Sequence, residues 1–246
     1  NAGSATGYSA AGTVIAVGAG VTAYVPGDRV ACAGAQCAHH AEYICVPENL
    51  TVAVPDKLAL GPASTVTLGA IAMQGVRRAE PTLGETFVVV GLGILGQLTV
   101  QLLKANGCRV IGIDVQQNRV DQALAMGMDS GLLPEDDEAE RKVVQLTGGI
   151  GADGVIVTAA SANDKLLSDA CRLCRRKGRV VLVGDVPITI NRGDIYRKEI
   201  DFFISTSYGP GRYDQRYEEQ GLDYPVAYVR WTENRNMAEY LRLLAE

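Results

Sequence analysis

The chain has 246 residues, of which 47% are hydrophobic and 21% charged, and its net charge is −5. That length buries a core as one large domain or two small ones, while a net negative balance gives no basic field to meet nucleic-acid phosphates. The longest apolar runs, such as 88–90 and 180–183, are strand-sized and exclude a membrane-spanning helix, and the six cysteines are too sparse for a disulfide scaffold, so a reduced, cytoplasmic protein is expected.

In chain order, residues 11–54 read as short β segments. "GTVIAVG", "DRVACAG", "AEYICVPE" and "LTVAVP" are rich in Val and Ile and are bounded by Gly, Pro, Asp and Asn. "VPGDRV" is a Pro-Gly turn whose Asp is ready to cap it. From "TFVVVG" onward the rhythm changes to buried-type strands, continued by "RVIGID", "GVIVTA", "RVVLVG" and "DFFISTS". Helical spacing is expected between them over 94–106, 118–127, 138–146 and 163–176. Strands apolar nearly throughout and separated by helices predict an α/β fold, a doubly wound parallel sheet covered on both faces. Within the last of those helices, Cys171 and Cys174 read as a packing face, and Arg175, Arg176 and Lys177 suit a helix C-terminus. The tail from Tyr208 is rich in Tyr, Arg and Gly and closes in a helical stretch, "NRNMAEYLRLLAE". It reads either as a polar, partly ordered loop or as a segment packed beside an active site. Three parts are expected: a partial β domain over 1–54, the α/β domain over 55–207, and a C-terminal segment over 208–246 returning toward the β domain.

One motif carries chemistry outright. "VVVGLGILGQLTVQLL" sets Gly91, Gly93 and Gly96 directly after a strand and at the opening of a helix, the context that makes a GxGxxG pattern specific for a dinucleotide. Gly91 permits the tight turn, Gly93 lets backbone approach a pyrophosphate, and Gly96 lets helix pack closely on strand. Free N–H groups at the helix start then face the phosphate charge. The next strand ends in Asp114, an acid that accepts hydrogen bonds from both ribose hydroxyls and repels a 2′-phosphate. Val115, Gln116 and Gln117 follow, so no adjacent Arg would hold that phosphate, and NAD is the expected cofactor.

With those residues in view, the chain resembles the medium-chain dehydrogenase/reductases, the alcohol dehydrogenase superfamily. "GTVIAVGAGVTAYVPGDRV", "AEYICVP" and "GLGILGQLTVQLLKANGCRVIGID" carry the resemblance. It implies a GroES-like β domain that holds substrate, paired with a Rossmann domain. Gly91, Gly93, Ile94, Leu95 and Gly96 would hold the pyrophosphate, and Asp114 with Arg119 beside it the adenosine ribose. Thr158 and Ala159 would border the adenine-side ribose and nicotinamide, and Val183 and Gly184 would lie against the nicotinamide. The resemblance also implies that the earlier strands of the β domain lie before Asn1, so that residues 1–54 are an incomplete domain. The tail is similar to a group of bacterial bidomain oxidoreductases, which implies a sugar-type substrate and a covalently linked second oxidoreductase domain. A homodimer is the other partner expected.

Zinc is where the pattern departs. Zinc-dependent members have Gly-His-Glu where this chain has Gly7-Tyr8-Ser9, and a second ligand position falls on Val66. A catalytic zinc takes three protein ligands, so no metal is expected. His39 and His40 sit among Cys32, Cys37 and Cys45, but strand alternation scatters such side chains over two faces. Tyr8 occupies the metal corner as the candidate catalytic acid, with Ser9 beside it; the alternative is that Tyr8 only fills the space. His39 and His40 are second candidates. The expected function is hydride transfer between a nicotinamide cofactor and a small carbonyl, alcohol or sugar without zinc. Against it stands a non-catalytic NAD-binding module that serves assembly or sensing.

Overall fold

A computed structural model describes residues 6–134 and 138–246. Strands β1 (Ser9–Thr13), β2 (Arg29–Ala33) and β3 (Thr51–Ala53) pair antiparallel in the order β1-β2-β3. Helices α1 (Leu60–Ala63) and α2 (Val66–Ala79) follow. The alternating part then runs β4 (Thr86–Val90), α3 (Ile94–Ala105), β5 (Arg109–Ile113), α4 (Gln117–Ala125), β6 (Ser130–Leu132), α5 (Glu138–Leu146), β7 (Ala152–Val157), α6 (Leu166–Leu173), β8 (Cys174–Leu182), α7 (Arg192–Tyr196) and β9 (Asp201–Ile204). Two helices, α8 (Gln215–Glu218) and α9 (Glu233–Leu244), lie in the tail.

The chain divides into two compact units, Asn1–Ile71 with Thr206–Glu246, and Ala72–Ser205. The first division therefore falls inside α2 rather than at 54/55, and the tail belongs to the same unit as the antiparallel sheet.

In the second unit, six strands among the described residues form a wholly parallel sheet in the order β6-β5-β4-β7-β8-β9. Its alternation is visible in the packing. Val88, Val155 and Val180 enter one buried cluster, while their neighbours Phe87, Val89, Ile156 and Val181 enter another. Both faces are covered, which is why these strands are apolar at nearly every position. The α/β doubly wound reading is thus correct. The order steps outward from β4 through β5 to β6, and the chain then returns to β7 on the other side of β4. The carboxyl ends of β4 and β7 therefore flank the place where the winding reverses, and open α/β sheets bind ligands there.

Several local expectations are corrected. "GTVIAVG" pairs only through its first residues: β1 ends at Thr13, Val14 still exchanges bonds with Asp28 and Gly27, and a turn over 18–21 follows. "AEYICVPE" is no strand, because the sheet order gives it no neighbour to pair with among the described residues. The helix expected over 163–176 stops at Leu173, where Cys174 turns extended and pairs with Ala152. Arg175, Arg176 and Lys177 therefore lie in a bulged start of β8, and Arg175 reaches Asp153 at 2.7 Å instead of capping a helix. Cys171 and Cys174 are buried in the core, as a packing face requires, and burial pushes the Cys171 thiol up to about 11. No element is expected from the sequence at 60–79 or 130–132, where the structure has α1, α2 and β6.

Candidate functional site

The glycine loop joins β4 to α3. Gly91 has φ +91°, and a Cβ there would meet Ala159 backbone at 2.7 Å, so the position demands glycine twice over. A Cβ on Gly96 would strike the Gly91 carbonyl, which makes glycine the condition for seating α3 against the loop. Gly93 is the N-cap of α3, and a Cβ there would meet nothing within 4 Å. That open side, in front of the unpaired N–H groups of the first turn, is where a phosphate fits. Ile94 is exposed and Leu95 half-buried.

Asp114 follows β5 and is 5% exposed. Its Oδ2 accepts the Leu92 N–H at 2.6 Å and its Oδ1 accepts the Gln116 N–H at 2.8 Å. Arg119 stands 3.6 Å from Oδ2. The carboxylate thus ties the glycine loop to the end of β5. Gln97 adds a second tie, donating to the carbonyls of Leu92 and Arg119 at 3.0 and 2.8 Å. From β7, Thr158 Oγ1 donates to the Gly91 carbonyl at 2.6 Å, and the Ala159 N–H reaches the Val90 carbonyl at 3.1 Å. From β8, the N–H groups of Val183 and Gly184 both bond the Val157 carbonyl at 2.9 Å, and a Cβ on Gly184 would strike the Ala159 carbonyl. All the expected cofactor-side residues therefore gather at the carboxyl edge of β4, β5, β7 and β8. Sequence reasoning missed Gln97, whose only signal is a polar residue on the inner face of α3.

Tyr8 lies in the other unit and is 43% exposed. Its carbonyl accepts the Gly34 N–H at 3.0 Å and the Thr67 hydroxyl at 3.1 Å. Ser9 is not available for chemistry: its hydroxyl donates to the Ser64 carbonyl at 2.7 Å and accepts the Thr67 N–H at 3.1 Å, capping α2 from a distant strand. Val66, at the second ligand position, is fully buried. Among the described residues no three His, Cys, Asp or Glu side chains converge. At these two positions Tyr8 and Val66 offer neither an imidazole nor a thiolate, the usual ligands of a catalytic zinc.

The tail holds a second polar cluster. Glu233 opens α9 at 0% exposure, and neither carboxyl oxygen has a hydrogen-bond partner among the described residues. The Tyr208 hydroxyl and Arg212 Nε are likewise unpartnered there, while Arg212 Nη1 pairs with Glu218 at 2.7 Å. Burial foremost, with the Glu218 charge adding, pushes the Glu233 carboxyl up to about 9 against the opposing pull of Arg212. Burial also raises the Tyr208 hydroxyl. Tyr217 stacks on Tyr224 with centroids 5.2 Å apart, and Asn234 donates to the carbonyls of Asn49 and Thr51 at 3.0 and 2.9 Å. The tail is a packed segment.

A wholly parallel sheet with its glycine loop at the point of reversal, and a small antiparallel sheet in the other unit, define a Rossmann-type α/β protein with an added β unit. The family described as zinc-binding dehydrogenase matches residues 95–221, and the alcohol dehydrogenase GroES-like domain matches residues 2–56. The chain belongs to the medium-chain dehydrogenase/reductase superfamily, whose members generally use NAD(P) cofactors. It is 29% identical over 210 residues to an uncharacterized zinc-type alcohol dehydrogenase-like protein, YdjJ, of Escherichia coli K12, covering 74% of this chain and 60% of the relative. It is 34% identical over 153 residues to the D-guloside 3-dehydrogenase of Shigella flexneri, covering 62% and 43%. Among solved structures it resembles ECK1772 of Escherichia coli, an oxidoreductase/dehydrogenase of unknown specificity, with TM-score 0.72, 27% identity, and 80% and 65% of the two chains covered. The chain thus spans three fifths or less of the length of these two curated relatives. Among the described residues no helix is long and apolar enough to cross a membrane.

Proposed function

We propose that the chain belongs to a dehydrogenase that moves a hydride between NAD(H) and an alcohol or sugar-type carbon without catalytic zinc. The observation that carries the reading is the close packing of Thr158 and Ala159 against both Gly91 and Gly184, with Asp114 tied to Leu92, which leaves the α3 N-terminus open beside a buried acid. Bound there, the nicotinamide dinucleotide supplies or accepts the hydride. The first-turn N–H groups of α3 hold the pyrophosphate, and Asp114 accepts the ribose hydroxyls and repels a 2′-phosphate. Val183 and Gly184 provide the wall against the nicotinamide.

Tyr8, exposed at the corner where zinc-dependent relatives bind metal, donates the proton that the substrate oxygen needs. The matched family is described by zinc; against a zinc centre stand Tyr8 and Val66 at the ligand positions. The guloside dehydrogenase relative favours a sugar-type substrate. A cytoplasmic setting agrees with six free cysteines. A homodimer or a linked second oxidoreductase domain completes the proposal.

Fluorescence titration with NADH and NADPH, metal analysis, and an absorbance screen of alcohols, polyols and sugars test this together. Tighter NADH binding, well under one zinc per chain and turnover of at least one substrate are expected. Tighter NADPH binding overturns the cofactor assignment, and near-stoichiometric zinc that survives chelation overturns the zinc-free chemistry. Hydride that never leaves bound NADH would instead make the chain a binding module.

A further inference from the structure

The basic run at the start of β8 and the crossover that follows the strand enclose a cavity. Its volume is about 690 Å³, and it lies at the amino ends of β8 and β9, on the sheet edge opposite the glycine loop. The floor is apolar: Ile195 of α7 and Ile200 ahead of β9 pack into one core cluster. The rim carries three exposed guanidinium groups, those of Arg176, Arg192 and Arg197. None of the three pairs with a carboxylate among the described residues, and the acids beside them are engaged elsewhere. Glu199, the acid of the lining, faces Lys177 at 3.5 Å, and Asp194 of α7 stands 3.8 Å from Arg172. Like charges around an apolar floor focus a positive field that draws in an anion. The backbone beneath them is held in place. Lys177 and Glu199 have φ +57° and +49°, a left-handed region that non-glycine residues rarely adopt. The Lys177 N–H donates to the Lys198 carbonyl at 2.6 Å, and Lys198 Nζ donates to the carbonyls of Arg172 and Cys174, which joins the two stretches. Arg192 lies over the Tyr196 ring at 4.0 Å, a contact that orients its guanidinium. Strained backbone beside unpaired like charges is a cost to folding that a bound anion offsets.

We propose that this cavity binds the phosphoryl group of a small molecule, with Arg176, Arg192 and Arg197 as its ligands. A guanidinium fork matches two phosphate oxygens at once, and a phosphoryl dianion has oxygens and charge for more than one such partner. The volume lies in the range of sites for small organic ligands and exceeds what the group alone fills. Ile195, Ile200 and the exposed Tyr196 give an organic portion a surface to lie on. The chemistry recognised is the phosphoryl group, carried by an ester or present as free phosphate. The site does not depend on which reaction the chain performs.

Isothermal titration calorimetry of the full chain with inorganic phosphate, glycerol phosphate and phenyl phosphate tests the site. Saturable binding is expected, and it should weaken as sodium chloride rises. Arg192→Gln and Arg197→Gln should each weaken it by about tenfold or more, the worth of one charge-assisted hydrogen bond. Arg192→Lys, which keeps the charge and loses the fork, should fall between wild type and Arg192→Gln. Both arginines are exposed, so the variants should fold, and thermal melts without ligand check this. Esters that bind more tightly than inorganic phosphate identify an ester as the ligand, while equal or weaker binding of the esters identifies free phosphate. Wild-type protein that binds none of the three saturably overturns the proposal. So does binding that folded Arg192→Gln and Arg197→Gln retain in full, since the anion then sits elsewhere on the chain.

Discussion

Asp114 has two duties, and they can be separated by substitution. As a charge it repels a 2′-phosphate; as an acceptor it satisfies the Leu92 and Gln116 N–H groups. Leaving a buried donor unpaired costs about 1–3 kcal/mol. Asp114→Ala should therefore narrow the preference for NADH over NADPH, and it should also weaken NADH binding and lower Tm by loosening the glycine loop. Parallel fluorescence titrations and thermal melts check this. A variant that narrows the preference with full NADH affinity and unchanged Tm would show that Asp114 acts by repulsion alone. At this scale the sequence was informative wherever backbone geometry dictates residue type. The Gly91 and Gly96 spacing announced a tight turn and a close packing contact, and both are present. It was silent where contacts are made through space: nothing local marks Gln97 as a tie between the glycine loop and Arg119.

Helix α2 shows how an element escapes sequence reading. Its interior holds Gly69 and Gly75, which lower helix propensity. Both are required by packing: a Cβ on Gly69 would strike the Tyr240 ring, and one on Gly75 would meet Val183 Cγ2 at 2.6 Å. The residues that hide the helix are those that let its neighbours approach. Its N-terminus is likewise secured from outside, by Ser9 of β1. Ser9→Ala should cost about 1 kcal/mol of stability, the usual worth of a lost helix cap. Urea melts should show it as a lower midpoint with unchanged slope, and an unshifted midpoint would mean that water replaces the hydroxyl. Strand β8 escaped for a related reason. Helical spacing runs on through Cys174, and only pairing with Ala152 turns the chain there. Helices α3, α4 and α5 were legible because their periodic faces end near local stop signals, with Asn106-Gly107 after α3 and Gly127 after α4.

For the molecule as a whole, the parallel sheet was legible because burial on both faces writes itself into apolar strands, whereas of the tail only the closing helix α9 was legible, because the rest is ordered by stacked tyrosines and long-range amide bonds. Inside that tail, Glu233 governs how stability responds to pH. Its carboxyl is raised to about 9 in the folded chain, against about 4.3 for an ordinary glutamate. Between those values the folded state keeps a proton that the unfolded chain has lost. The contribution is complete below the lower value and falls away as pH rises toward the upper one, at up to about 1.4 kcal/mol per pH unit. Denaturant midpoints should drop from pH 6 to pH 9, and Glu233→Gln should flatten that decline. An equal decline in the variant would place its cause elsewhere. The same proton has a thermal signature. Unfolding near pH 7 releases it to the solution, where the buffer base captures it. The heat absorbed in a scanning calorimeter should then be smaller in an amine buffer, whose protonation gives out much heat, than in phosphate, whose protonation gives out little. In Glu233→Gln that difference between buffers should shrink, so one buried side chain becomes countable as a proton per molecule unfolded.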